Sequence, residues 1–172
     1  GDLRWKCWNG MGGDAVPTAH SWGFLSQEDF AQHPEWFRMD EQGNRVFSSW
    51  YNFGNPEMRK RFVQWALDAS GNGQRGISFS PPDGYQVDYS PEAKPYDEPI
   101  DIDPTSNRVS MTNRFIGIIN EAARAIYQRN PNAVCGFYAY SDYSYPPTNP
   151  ALLPLSPNLC VLIAPIRFTR HH

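Results

Sequence analysis

The chain alternates between stretches whose apolar residues recur at helical spacing and short stretches that are apolar throughout. Ser26 is placed to cap a helix running through Gln27 to His33, which Pro34 limits. Asn55 is a natural N-cap, Pro56 suits the first helical position, and Glu57 meets the favourable end of the helix dipole. Met58, Phe62, Trp65, Ala66 and Ala69 then share one face of the helix, which Gly71 and Gly73 end. Ile77 to Ser80 reads as a short strand closed by Pro81 and Pro82. A long polar loop from Asp83 to about Asn107 follows, and loops of that length are usually functional or disordered.

The clearest helix comes next, with Phe115, Ile118, Ile119, Ala122 and Ile126 as its apolar stripe and Asn130 and Pro131 as its stop. Ala133 to Tyr140 and Leu159 to Ala164 read as strands, separated by the proline-rich Tyr145 to Pro157. Leu3 to Trp8 fits either a helix end or a strand. Strands without a polar face are expected in a parallel sheet covered on both sides. The order strand, loop, helix, strand predicts an α/β fold of parallel crossover units with the helices outside. A doubly wound nucleotide fold shares that order, but no glycine-rich phosphate turn follows a first strand and opens a helix.

Residues 1–172 read as a single domain. A complete eight-fold barrel needs about 250 residues, so the expectation is a partial (β/α) barrel of the TIM type. Such a fragment would have an open sheet edge, to be completed by further sequence or a partner.

Fifteen Lys plus Arg against eighteen Asp plus Glu give a net charge of −3, without a basic run to neutralise a phosphate backbone. Nucleic acid is therefore not an expected partner. No stretch approaches the roughly 20 apolar residues of a membrane span. Three cysteines, Cys7, Cys135 and Cys160, are too scattered for a disulfide framework or a metal knuckle, and the latter two fall in apolar strands as buried thiols. The 6 Trp, 9 Tyr and 10 Phe often sit beside Gly, Pro, Asn or Asp, a pattern of exposed stacking platforms, although ordinary packing also uses large rings.

The sharpest candidate is Ser80-Pro81-Pro82-Asp83-Gly84-Tyr85, which puts a carboxylate beside a ring at the end of a buried strand. Glycoside hydrolysis generally needs two carboxyl groups across the scissile bond. Asp83 fits one of them, and the Asp-Gly pair alone reads first as the start of a turn. Asp88, Glu92, Asp97, Glu98, Asp101 and Asp103 follow, as a source of the second carboxylate, as ligands of a hard cation such as calcium, or, for most of them, as solvated acids; they do not reproduce the calcium-loop spacing, and no metal or cofactor is expected. Tyr138, Tyr140, Asp142, Tyr143 and Tyr145 cluster at another strand end, as sugar-stacking faces plus a carboxylate or as a packed tyrosine corner. His20, next to Ser21 and Trp22, is an acid–base candidate or a structural histidine; His33, before Pro34, reads as structural, and His171 and His172 carry no assignment.

Four segments share an order: His20-Ser21-Trp22, then His33-Pro34-Glu35-Trp36-Phe37 with Gly43-Asn44-Arg45, then Asn55-Pro56-Glu57, then Ile77 to Gly84. With the Phe115 to Asn130 helix, Tyr138-Ala139-Tyr140 and Pro157-Asn158, this order resembles the bacterial domain of unknown function 4838 over nearly the whole chain. That family is a presumed sugar-hydrolase barrel, often found behind a domain similar to the N-terminal domain of α-glucuronidases. Its common Cys-x-x-Cys-like pair after the segment of Asp83 is missing here, so no role of those cysteines carries over. A more distant similarity to β-hexosaminidase strand ends places Gly84 where those barrels have a glutamate.

The resemblance implies a secreted or envelope-associated carbohydrate-active protein that hydrolyses a glycosidic bond. Asp83, His20 and Asp142 are the expected catalytic residues, and Trp22, Tyr85, Tyr138, Tyr140 and Tyr143 the expected substrate-binding ones. A non-catalytic carbohydrate-binding module would show the same platforms without a second carboxylate near Asp83. A structural or partner-binding module would bury the aromatics and lack a polar pocket.

Overall fold

A computed structural model of the protein describes residues 16–71, 76–103 and 107–164. The expectations for Leu3 to Trp8, Cys7, Gly73, His171 and His172 lie outside those residues. Helix α1 (Gln27–Gln32) opens with a capping box. Ser26 Oγ accepts the Asp29 N–H at 3.1 Å, and the Asp29 carboxylate accepts the Ser26 N–H at 2.6 Å. Helix α2 (Pro56–Ala69) opens on Asn55, whose side-chain oxygen accepts the Glu57 and Met58 N–H groups. Met58, Phe62 and Ala66 of its expected apolar face are buried, while Trp65 and Ala69 pack at the edge of the core.

Among the described residues, three strands form the main sheet. They are β1 (Gly76–Ser78), β4 (Val134–Ala139) and β5 (Leu159–Ile163), in the order β1-β4-β5 and all parallel. The segment around His20 continues the pattern, because His20 bridges Ser80 in parallel and Ser21 N–H donates to Ser80 O at 3.0 Å. The other two strands, β2 (Ile102–Asp103) and β3 (Arg108–Val109), make a separate antiparallel pair inside the long loop. The described sheet is open and does not close into a barrel.

Along β4, alternation sends Cys135, Phe137 and Ala139 to one face and Gly136, Tyr138 and Tyr140 to the other. Helices α2 and α3 (Thr112–Arg129) cover the first face. The Phe62 ring lies 5.8 Å from Phe79, and Tyr143 lies between Phe115 and Phe137 at 5.3 and 5.6 Å. Residues 16–20 cross the second face. There Gly136 is required, since a Cβ would collide with the carbonyl oxygen of Pro17.

The loop after β1 departs from the expectation of a solvated polar segment. It contains a 3-10 turn at Pro91–Asp97, and Asp88, Asp97 and Asp103 are buried. Arg114 explains two of them. It is 2% exposed, grips both oxygens of Asp97 at 2.8 and 2.6 Å, and donates to the Asp88 carbonyl at 2.9 Å. Helix α3 begins before its apolar stripe because Asn113 and Arg114 in its first turn anchor this loop. Cys135 is buried, with its thiol pushed up to about 12 by desolvation, whereas Cys160 is half-buried.

Candidate functional site

The strand ends of β1 and β4 and the His20 segment converge on one depression. It encloses about 300 Å³ and is lined by His20, Tyr138, Tyr140 and Ala164. The His20 ring centroid is 6.2 Å from that of Tyr138 and 6.4 Å from that of Tyr140. Parallel strands deliver their following loops to one end of a sheet, which is why residues distant in sequence meet here.

Asp83 stands exposed at the rim. Tyr140 Oη donates to its Oδ1 at 2.7 Å, and the Gly84 N–H donates to the same oxygen at 2.9 Å. Gly84 has φ +96°, a left-handed conformation that glycine adopts without a steric penalty. The Asp83 carboxyl is held below the usual carboxylate range, first by the Tyr140 hydroxyl, then by the Gly84 N–H and the charge of His20. His20 Nδ1 lies 2.5 Å from the Pro81 carbonyl oxygen. A carbonyl only accepts, so Nδ1 carries a proton in either state of the ring, and Nε2 is the nitrogen that gains or loses one. Tyr138 donates its hydroxyl to Thr18 O at 3.3 Å, keeping its ring in the wall of the depression.

The remaining expected site residues lie elsewhere. Asp142 is buried, with Oδ1 and Oδ2 taken by Arg108 at 3.0 and 2.8 Å and Oδ2 also accepting Ser141 Oγ at 3.0 Å. Trp22 is 4% exposed in the core among Phe53, Phe62 and Phe115, donating its indole N–H to Phe79 O. Tyr143 is 2% exposed, and burial raises its hydroxyl pKa. Burial prevents Trp22 and Tyr143 from stacking on a ligand. Tyr85 is half-buried beneath Arg108, whose guanidinium carbon sits 4.0 Å above the ring centroid, and its hydroxyl is pushed up to about 12 by desolvation.

Ser141 accounts for the change of direction after Tyr140. Its φ of +52° is left-handed, uncommon for a residue with a side chain, and it turns Asp142 inward to Arg108. Sequence reading missed Arg108 altogether. It lies 34 residues before its carboxylate partner, outside any motif spacing. Among the described residues, no cluster of His, Cys, Asp and Glu could hold a metal ion, and no helix is long and apolar enough to cross a membrane.

The sequence profile of a family described as Domain of unknown function (DUF4838) matches residues 6–172. No curated protein and no solved structure matches the chain.

Proposed function

The chain belongs to the DUF4838 family, and on that premise we propose that it is a glycoside hydrolase whose site is the strand-end depression of His20, Asp83, Tyr138 and Tyr140. The observation that carries the reading is the Tyr140–Asp83 hydrogen bond of 2.7 Å at the rim of an aromatic-walled depression. A finer fold reading goes with it: the parallel strands in chain order, with helices on one face, represent part of a (β/α) barrel whose sites gather at the carboxyl ends of the strands.

Hydrolysis breaks the bond from the anomeric carbon to the leaving oxygen, adds water at that carbon and delivers a proton to the leaving oxygen. Asp83 stays ionised below the usual carboxylate range, so it suits the attack side, as base toward water or as the charge facing the anomeric carbon. His20 is the group in the depression that can exchange a proton through Nε2. The faces of Tyr138 and Tyr140 offer stacking surfaces to sugar C–H groups.

The test is turnover of a panel of nitrophenyl glycosides and uronides by the protein and by Asp83→Asn. Loss of an acid or base group typically lowers the rate about a hundred- to ten-thousand-fold, with the melting temperature unchanged. Equal rates in the two proteins would remove Asp83 from the chemistry. A second reading, sugar binding without hydrolysis, is favoured by two observations: Arg108 occupies Asp142, and Asp83 stands at the rim while the residues lining the depression include no carboxylate. It predicts no turnover by the parent protein, glycan affinity kept in Asp83→Asn, and affinity lost in Tyr140→Ala.

A further inference from the structure

Ser78 and Ser80, at the end of β1, are buried, and their hydroxyls reach the segment that carries His20. Ser78 Oγ accepts the Ala19 N–H at 2.9 Å and donates to the Ala19 carbonyl at 2.6 Å. That carbonyl belongs to the peptide joining Ala19 to His20. On the other side of His20, the Ser21 hydroxyl donates to the Ser78 carbonyl at 2.6 Å and the Ser21 N–H to the Ser80 carbonyl at 3.0 Å. The Ser80 N–H donates to Ser78 Oγ at 3.3 Å, and Ser80 Oγ accepts the Tyr138 N–H at 3.0 Å, which ties the opposite wall of the depression to the same hydroxyls.

Neighbouring parallel strands usually keep their register through an evenly spaced backbone ladder. The described pairing of the His20 segment with the end of β1 is one isolated bridge, His20 with Ser80, and seryl hydroxyls take the place of further rungs. Register matters here, because a slip of one residue turns side chains to the opposite face. His20 is exposed, so the interior does not fix its ring. The ring is oriented instead by the bond from Nδ1 to the Pro81 carbonyl, 2.5 Å away, and Pro81 follows Ser78 closely on the same chain. Whether that bond forms therefore depends on where Ser78 holds Ala19.

We propose that Ser78 is the positioning residue of the depression: by holding the Ala19–His20 peptide it keeps the neutral His20 ring in its Nδ1–H form and leaves Nε2 for proton exchange with a bound sugar. Ser78 is buried behind His20, so it acts through that ring and not on the substrate. The proposal rests on the reading of His20 as the proton-exchanging group, and it names what makes that ring ready. A neutral imidazole free in water carries its proton chiefly on Nε2, the reverse of what the depression requires. The tautomer is set by the bond the other nitrogen makes, and here Ser78 secures that bond.

Heteronuclear NMR of the whole chain tests it, because the chemical shifts of the two ring nitrogens report which one carries the proton; His20→Gln assigns the signals. At alkaline pH, with the ring neutral, the parent His20 should be mainly the Nδ1–H form. Ser78→Ala should lower the ratio of Nδ1–H to Nε2–H about tenfold, the effect of losing one typical hydrogen bond. Ser78→Thr keeps the hydroxyl and should keep the parent ratio. Ala19 is exposed, so water satisfies its peptide groups in Ser78→Ala and the fold should be retained. Should Ser78→Ala not fold, Ser78→Cys, whose thiol hydrogen-bonds weakly, takes its place and should show the same fall.

An unchanged ratio in Ser78→Ala or Ser78→Cys overturns the proposal and leaves the reading of His20 intact. So does a parent ring that is mainly Nε2–H, or a fall in Ser78→Thr as large as in Ser78→Ala, since the hydroxyl would then not be what holds the ring. Kinetics on the glycoside panel separate the two claims. Ser78→Ala should lower kcat about ten- to a hundredfold with KM unchanged, because the proton-exchanging group is misplaced while the sugar-binding walls stay. If the ratio falls and kcat does not move, His20 is not the proton-exchanging group, and the positioning role falls with it. If the parent protein turns over no glycoside, the hydrolase reading falls and takes the positioning role with it, whatever the tautomer.

Discussion

Tyr140 and Asp83 define the chemistry available at the depression, and their pairing has a pH signature. The folded pKa of Asp83 lies below its ordinary value, so the carboxylate keeps its charge as the pH falls through that value and loses it only lower down. Whatever depends on the charge is complete above the ordinary pKa and is lost as pH falls through the depressed one. Tyr140→Phe removes the largest contribution to the shift and should move the acid limb of kcat/KM upward toward the ordinary carboxylate value, with the alkaline limb unmoved. An acid limb at the same pH in both proteins would mean that Asp83 does not control it. The placement of Asp83, Tyr138 and Tyr140 was legible in the sequence because they stand at or near the ends of the apolar runs Ile77 to Ser80 and Ala133 to Tyr140, where parallel strands present side chains, whereas His20 was singled out by its residue type. The placement of Asp142 and Tyr143 was not legible, because Ser141 takes a left-handed conformation that no local pattern announces and turns both residues inward. Trp22 shares the neighbourhood of His20, but the chain leaves the sheet after Ser21, and the strand alternation that would keep them on one face ends there.

Capping and periodicity made the helices readable. Ser26 and Asn55 cap where expected, and the Phe115 to Ile126 stripe is buried throughout. The long loop was harder to read because its order comes from partners far along the chain, chiefly Arg114 in the first turn of α3, reaching 17 residues back to Asp97. The sequence pattern marks Arg114 as a polar residue ahead of an apolar stripe, and nothing in it reveals that the guanidinium is buried. Replacing it by Leu leaves the carboxylates of Asp97 and Asp88 in the interior without their cation. Removal of one partner of such a buried pair costs about 3–5 kcal/mol. Urea unfolding of Arg114→Leu should show a loss of that size, accompanied by new proteolytic cleavage between Asp83 and Asp103 while α3 is still folded. A loss under 1 kcal/mol would show that the loop holds its place without Arg114.

At the scale of the whole molecule, an α/β sheet is stable only when both faces are covered, and the described residues meet this condition at β1 and β4 better than at β5. Parallel pairing puts Val161 beside Phe137 and Ile163 beside Ala139, so these side chains project to the helix-covered face. Phe137 is buried there, but Val161 is 39% exposed and Ile163 is 76% exposed, bordering an apolar groove that also touches Ile116 and Leu155. An apolar strand at a sheet edge is a ready template for another chain, and lysine is the residue proteins use to blunt one. Ile163→Lys therefore tests whether this edge is open. With three-quarters of the side chain in water, the substitution should change stability by no more than about 0.5 kcal/mol. It should also reduce concentration-dependent association, read by sedimentation velocity across a hundredfold range of concentration. If Ile163→Lys instead lowers stability by 2 kcal/mol or more, Ile163 is covered in the folded protein and the sheet continues past β5.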